Sequence, residues 1–280
     1  MEQLKEADKL YLGSGTWQKA GWLNHHCSKL FFYNAAAKYF LGKSVGEYDL
    51  DSGVGFKFDI DHDLSTPERL PLADNFLSAV YTSHSIEHIR DCDAQFVFKD
   101  VHRILKPNGV FRVTCPDINI LFDRLIVEKK KIHDITLYEV TSAYEEFIWA
   151  TFSYFAAECK IRDHFLLDLM PNGRAVYDQF LQENKINETQ FSELLNVYGK
   201  FGVFEYLRCL SEGLFEKYRY HLTTFHVNWW TTEKVCRYLT AAGFKKIFIV
   251  SRNSSSLKDF ESDHFDYTVP HVSLFVEAKK

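Results

Sequence analysis

The chain has 280 residues, of which 46% are hydrophobic and 25% charged, and its formal net charge is −5. This composition suits a globular protein with a sizeable core, and the acidic balance argues against a nucleic-acid surface, which is usually basic. The six cysteines include no C-x-x-C pair and no zinc-site spacing, and neither a signal core nor a membrane-spanning apolar stretch occurs. We therefore expect a cytoplasmic protein with no metal, no membrane span and no nucleic-acid partner.

Residues 1–118 alternate short apolar segments with helical ones. Strands are predicted at residues 9–12, 21–24, 56–60, 77–82 and 110–115. A helix with Val97, Val101 and Ile104 on one face precedes the last strand, and Pro107-Asn108-Gly109 is predicted to form the turn between them. This alternation predicts an α/β fold, a Rossmann-like, mainly parallel sheet with helices on both faces.

The remainder of the chain divides into two parts. Residues 119–225 are rich in aromatic, Leu, Glu and Lys residues at helical spacing, which predicts a helical insertion. Its aromatic residues either pack that insertion or form the wall of a substrate pocket, and the insertion is expected to act as a substrate cap or a dimer contact. Residues 226–280 return to α/β, with a helix capped by Thr231 or Thr232 and ended by Gly243, and strands at 246–250 and 272–278.

The first chemical signal is the segment Leu12-Gly13-Ser14-Gly15 at the end of the first strand. A glycine turn there lets the backbone approach a ligand at the carboxyl edge of a parallel sheet. The third glycine of the dinucleotide motif G-x-G-x-x-G is replaced by Gln18, which argues against an NAD(P) or FAD site. Further along, the acidic segment Asp59-Ile60-Asp61-His62-Asp63 lies at the end of the third predicted strand, where an acidic residue either accepts a hydrogen bond from an adenine amino group or belongs to a solvated loop.

Taken together, the order and spacing of the motifs resemble the class I S-adenosylmethionine (SAM) dependent methyltransferases, in particular the methyltransferase type 11-like group. The matching motifs are Leu10 to Gly15, Gly21-Trp22-Leu23-Asn24, Asp63 with Leu70-Pro71-Leu72, Ser83-His84 with Glu87-His88, Arg103 to Gly109, and Cys115-Pro116-Asp117. The resemblance covers residues 9–118 and 226–250 and leaves out the insertion. It implies SAM as the cofactor and methyl transfer as the reaction.

The same resemblance implies a set of cofactor-binding residues, which are Leu12, Gly13, Ser14 and Gly15 at the methionine part of SAM, Asp63 and Leu64 at the adenine, and Ser83 and His84 near the methyl sulfonium. The acid that holds the ribose hydroxyls in the family would fall at position 26, where this chain has His26. Either this imidazole binds the ribose, or Asp49 or Asp51 does so instead.

A base that titrates near neutrality suits proton removal from an acceptor hydroxyl, and histidine is the usual residue for this task. The predicted catalytic residues are His84, His226 and Asp117. His226 could instead hydrogen-bond backbone, and Asp117 could instead cap the next helix. Tyr220, His221 and Trp230 are the predicted substrate wall.

The sequence thus predicts a SAM-dependent methyltransferase that acts on a small polar acceptor. By resemblance, that acceptor is a sugar or sugar derivative of a surface-polysaccharide pathway, while the acceptor atom stays open. The absence of D-P-P-Y and N-P-P-Y argues against methylation of a DNA base amino group. The alternative is a SAM-fold binding or regulatory module without methyl transfer, which His26 at the ribose position would support. A homodimer is a further expectation.

Overall fold

The computed structural model describes residues 7–14, 19–27, 59–123, 186, 188–218, 226–262 and 265–280. Its strands are β1 Lys9–Leu12, β2 Leu23–His26, β3 Ile60–Asp61, β4 Leu77–Ser83, β5 Leu105–Pro116, β6 Lys246–Ile249 and β7 Ser273–Lys279. Its α-helices are α1 Asp91–Ile104, α2 Ile118–Asp123, α3 Glu188–Tyr218 and α4 Thr232–Ala242. Short 3-10 helices lie at Ile86–His88, Lys258–Glu261 and Pro270–Val272.

The strands form one seven-stranded sheet in the order β3-β2-β1-β4-β5-β7-β6. Strands β1 to β5 pair in parallel, and β7 runs antiparallel between β5 and β6. The predicted Rossmann-like, mainly parallel fold is therefore confirmed. Because parallel strands end at the same edge, the residues after β1, β2, β4 and β5 share the edge at which ligands bind in such sheets. The antiparallel β7 begins at this edge, since Ser273 pairs with Pro116.

The described residues fall into two compact units: the first holds the residues up to Asp117 and from Trp230 onward, and the second holds those from Ile118 to Trp229. In the first unit, the predicted helix face on α1 is buried, with Val97, Val101 and Ile104 at 3% exposure or less. These side chains share one hydrophobic core with Leu239 of α4 and with the apolar residues of the strands. Packing of both helices against the same sheet face explains why each helix is amphipathic.

Both ends of α4 follow from local chemistry. The Thr231 hydroxyl accepts a hydrogen bond from the Lys234 amide over 3.1 Å, which satisfies one free donor of the first turn. Gly243 ends the helix at φ 105, a left-handed conformation that favours glycine. The sequence predicted this helix correctly and left Thr231 or Thr232 open as the cap; Thr231 is the cap.

Three strand predictions differ from the structure in their bounds by more than one residue, and β3, predicted at 56–60, is Ile60–Asp61. β5 begins at Leu105, because Leu105 pairs with Leu77 before the register shifts to Val110 opposite Ala79. Residues 106–109 therefore form an irregularity within a strand instead of a separate turn, and the Asn108 amide donates to the Lys280 carbonyl oxygen over 3.1 Å. β2 begins two residues later than predicted, since Gly21 adopts φ 76 in the preceding turn.

The second unit is helical where the structure describes it. Within α3, Gly199 has non-helical backbone angles, with φ 67, so the element is kinked there. Of the aromatic side chains of α3, Phe204 is fully buried, whereas Phe201 is 56% exposed. Phe204 packs against Phe122 and Trp229 at ring distances of 5.5 and 5.6 Å. Among the described helices, none has the length and apolar character needed to cross a bilayer.

Candidate functional site

The glycine turn after β1 is the first part of the candidate site. Leu12 is fully buried at the end of β1, and Gly13 follows in a left-handed conformation at φ 71. A Cβ atom added to Gly13 would lie 2.3 Å from the Ser85 hydroxyl oxygen, so both the conformation and the available space require glycine. The Ser14 amide donates to the His25 carbonyl oxygen over 2.9 Å, which ties the turn to β2. Gly15 lies outside the described residues.

At the end of β2, two neighbouring histidines occupy different environments. His25 is 1% exposed, and its Nδ1 accepts a hydrogen bond from the Gly13 amide over 3.1 Å. Burial, and to a lesser degree the nearby His62, lowers the pKa of His25 to about 3. Burial also lowers the pKa of His26 to about 4, although the Asp61 carboxylate opposes this effect. Asp61 pairs with His26 in the ladder between β2 and β3. Both imidazoles are therefore neutral at physiological pH.

The predicted adenine residues lie in the turn that follows β3. Oδ1 of Asp63 accepts hydrogen bonds from the amide and the hydroxyl of Ser65, each over 2.9 Å. The Asp63 carbonyl oxygen accepts from Thr66, and Leu64 is buried at 8% exposure. One carboxylate oxygen of Asp63 is thus used to shape this turn. Asp49 and Asp51, the alternative ribose ligands, lie outside the described residues.

The end of β4 carries Ser83 and His84. His84 has φ 47, an uncommon value for a residue with a side chain and one that often marks a functional site. Its amide donates to the Thr114 carbonyl oxygen over 2.9 Å, which holds this conformation against β5. The ring is fixed at both nitrogens, with Nδ1 3.3 Å from a carboxylate oxygen of Glu87 and Nε2 2.9 Å from the Ser273 hydroxyl oxygen. Glu87 is itself buried, at 1% exposure.

The other predicted site residues are spread over the molecule. Asp117 follows β5, and its amide donates to the Val272 carbonyl oxygen over 2.8 Å. Trp230 is 1% exposed and stacks on Phe98 in the helix-covered core, so the structure places it among core residues. His226 is buried at 8% exposure in the second unit. Tyr220 and His221 lie outside the described residues.

Several residues of the site were not singled out from the sequence. Ser85 and Ser273 carry no motif of their own, and Ser273 reaches His84 only because β7 inserts antiparallel beside β5. Glu87 stood in the matching S-H-x-x-E-H motif without a role, and its spacing of three residues from His84 could have indicated the contact. His25 was not singled out, since no sequence pattern shows that a side chain accepts from the glycine turn.

Buried polar atoms near these strand ends bear on whether the site suits SAM. Nε2 of His25 and the Thr82 hydroxyl are buried and have no hydrogen-bond partner within the part of the chain that the structure describes. Such atoms are rare in folded proteins and are typical of places where a ligand or water completes the hydrogen bonding. Together with the close approach of backbone at Gly13, they fit a ligand with polar hydroxyl and amino groups, such as SAM.

One protein family and several solved structures are similar to this chain. Residues 10–113 match the family described as "Methyltransferase domain". Among solved structures, a SAM-dependent methyltransferase from Thermotoga maritima is 13% identical, with 98% of this chain and 83% of that chain covered and a TM-score of 0.40. A SAM-dependent methyltransferase from Mesorhizobium loti is 12% identical, with 100% and 96% covered and a TM-score of 0.40. No curated protein matches the chain.

Proposed function

We propose that this chain is a class I SAM-dependent methyltransferase that methylates a hydroxyl group of a small polar acceptor. The match of residues 10–113 to a methyltransferase domain supports this enzyme class. SAM is its cofactor and supplies an electrophilic methyl group on a sulfonium. The enzyme's task is then to align the acceptor oxygen with that methyl group and to take up the proton that the hydroxyl releases. The residues proposed to hold SAM are Leu12, Gly13, Ser14, Gly15, His26, Asp63, Leu64, Ser83 and His84.

The proposal that the acceptor is a hydroxyl group rests on the contact between His84 and Glu87. With its proton on Nδ1, facing the Glu87 carboxylate, His84 keeps Nε2 as a proton acceptor, which is the tautomer that a general base needs. The carboxylate also stabilises the imidazolium that forms when the proton arrives. The Ser273 hydroxyl can turn away from Nε2, because the Val269 carbonyl oxygen lies 2.8 Å from it as a second acceptor.

The finer proposals concern the acceptor and its setting. A sugar or sugar derivative of a surface-polysaccharide pathway suits an uncharged polar acceptor, and the net charge of −5 is compatible with one. We further propose that the protein works in the cytoplasm, does not act on nucleic acid, and uses residues 119–225 as a substrate cap or as the contact of a homodimer. His226 and Asp117 remain proposed catalytic or acceptor-binding residues.

The test begins with calorimetric titration of the purified protein with SAM, S-adenosylhomocysteine and NADH. Micromolar binding of the first two and none of NADH is expected. A panel of sugars and nucleotide sugars is then incubated with SAM and analysed by mass spectrometry for methylated product. If neither SAM nor S-adenosylhomocysteine bound, the proposal that the protein is an enzyme would be overturned in favour of a binding module.

Within that assay, His84→Ala is expected to abolish turnover while S-adenosylhomocysteine still binds. Glu87→Gln keeps the size of the side chain and removes the charge that stabilises the imidazolium, so it should lower kcat with little change in the cofactor Kd. Full turnover by His84→Ala would remove His84 as the base.

A further inference from the structure

Three hydrogen bonds from the glycine turn converge on one residue of β2. The Gly13 amide donates to Nδ1 of His25 over 3.1 Å, and the Ser14 amide donates to its carbonyl oxygen over 2.9 Å. The Ser14 hydroxyl donates to the same carbonyl oxygen over 3.2 Å. The Gly13 and Ser14 amides therefore both donate to His25, one to its side chain and one to its backbone.

The bond from Gly13 depends on the state of the imidazole. Nδ1 can accept a hydrogen bond only in the neutral ring, with the proton on Nε2. The ring is 1% exposed, and its burial lowers the pKa to about 3, so the acceptor is present throughout the physiological pH range. Without it, the Gly13 amide would have no acceptor at this position, and the left-handed turn would lose a restraint that backbone pairing does not supply.

We infer that His25 is a positioning residue for SAM: its Nδ1 holds the Gly13 amide and so fixes the glycine turn in the conformation that receives the cofactor. The inference rests on the proposed placement of SAM at this turn. His25 acts through Gly13 without being a catalytic residue. His25 is expected to raise the affinity for the cofactor, because a turn that is already ordered loses less conformational entropy when the ligand binds.

Two variants of His25 separate the effect of its hydrogen-bond acceptor from the effect of its side-chain shape. In asparagine, Oδ1 is attached to Cγ as Nδ1 is in histidine, so His25→Asn keeps an acceptor near the same place. Leucine has almost the same shape as asparagine and no acceptor. His25→Leu should therefore weaken S-adenosylhomocysteine binding about tenfold, because the released turn must be ordered when the ligand binds, and His25→Asn should restore most of that affinity.

The experiment is calorimetric titration of the full chain and of both variants with S-adenosylhomocysteine, together with amide hydrogen exchange at Gly13. Support would be weakened binding and faster Gly13 exchange in His25→Leu, with both reversed in His25→Asn. Equal affinity in the parent and His25→Leu would overturn the inference while leaving the proposed function intact. Absence of binding in the parent would instead overturn the proposed function. Should His25→Leu fail to fold, rapid Gly13 exchange in the parent, or a proton on Nδ1 in its nitrogen NMR spectrum, would overturn the inference.

Discussion

At the scale of single residues, two glycines offer a controlled test of the glycine turn that is proposed to bind SAM. Gly13 and Gly21 both have left-handed backbone angles, at φ 71 and φ 76. A Cβ added at Gly13 would lie 2.3 Å from the Ser85 hydroxyl oxygen, whereas a Cβ added at Gly21 would have no atom of the described residues within 4 Å. Gly13→Ala should weaken S-adenosylhomocysteine binding by more than about tenfold, and Gly21→Ala should show only the strain of about 1–2 kcal/mol in unfolding experiments.

Calorimetry and urea unfolding on both glycine variants separate the two effects. If Gly13→Ala and Gly21→Ala weakened binding equally, backbone strain alone would explain the result, and the close contact with Ser85 would have no part in the site.

Asp63 poses a second question at this scale, because it shapes a turn and is also the proposed adenine acceptor. Asparagine keeps Oδ1, which accepts from Ser65, and places an amino group where the second carboxylate oxygen was. If the second oxygen accepts from adenine, Asp63→Asn brings two donors together, and S-adenosylhomocysteine should bind about tenfold more weakly, as it should to Asp63→Ala. A loss confined to Asp63→Ala in calorimetric titration would assign Asp63 to the turn alone.

At the scale of elements, the segment between β6 and β7 covers one sheet face. Phe260 and Phe265 pack on Trp22 and Tyr81, away from the face that α1 and α4 cover. Only residues 13–22 connect the parallel strands β1 and β2, fewer than a crossover helix usually needs. Phe260 and Phe265 therefore cover part of the sheet face that such a helix would cover.

A buried charge network fastens this segment. Arg112 on β5 is fully buried between Asp266 and Glu277, with its Nε 2.9 Å from an Asp266 oxygen. Asp266→Asn would leave Arg112 with one charge partner fewer in the interior, so unfolding should become easier by about 3–5 kcal/mol. As the control, Asp8→Asn removes the exposed pair with Lys106 and should cost no more than about 1 kcal/mol. Urea denaturation of both variants gives the comparison, and equal losses would refute the interior role of the network.

The same segment shows how far sequence reasoning reaches. Strands β1 and β4, helix α1 and the capped α4 follow from local periodicity and cap residues, so they could be predicted. The packing of Phe260, Phe265 and Asp266 could not be predicted, because the contact of Arg112 with Asp266 joins residues 154 apart and leaves no local pattern. The contacts of His25 with Gly13 and of His84 with Ser273 escaped prediction for the same reason: each depends on strand pairing rather than on spacing.

At the scale of the whole molecule, the buried histidines make the stability depend on pH. In the unfolded chain both His25 and His26 take up protons near pH 6.5, whereas in the fold their pKa values are lowered to about 3 and about 4. Below pH 6.5 the unfolded state therefore binds more protons than the folded state, and the free energy of unfolding falls as the pH falls. The stability that comes from keeping these rings neutral is present above pH 6.5 and is lost progressively down to about pH 4 for His26 and about pH 3 for His25.

The slope of the unfolding free energy against pH can be predicted in numbers. Each of the two rings contributes up to about 1.4 kcal/mol per pH unit to the fall in unfolding free energy. The double variant His25→Asn with His26→Asn should therefore lose stability less steeply than the parent between pH 6 and pH 4.5, by up to about 2.7 kcal/mol per pH unit. Urea denaturation at several pH values measures both slopes, and a comparison at pH 8, where both rings are neutral in either state, removes the cost of the substitutions themselves. Parallel curves for parent and double variant would mean that other groups carry the pH dependence. A flatter curve for the double variant would show that the two buried imidazoles, at the sheet edge proposed to bind SAM, lower the stability of the protein in acid.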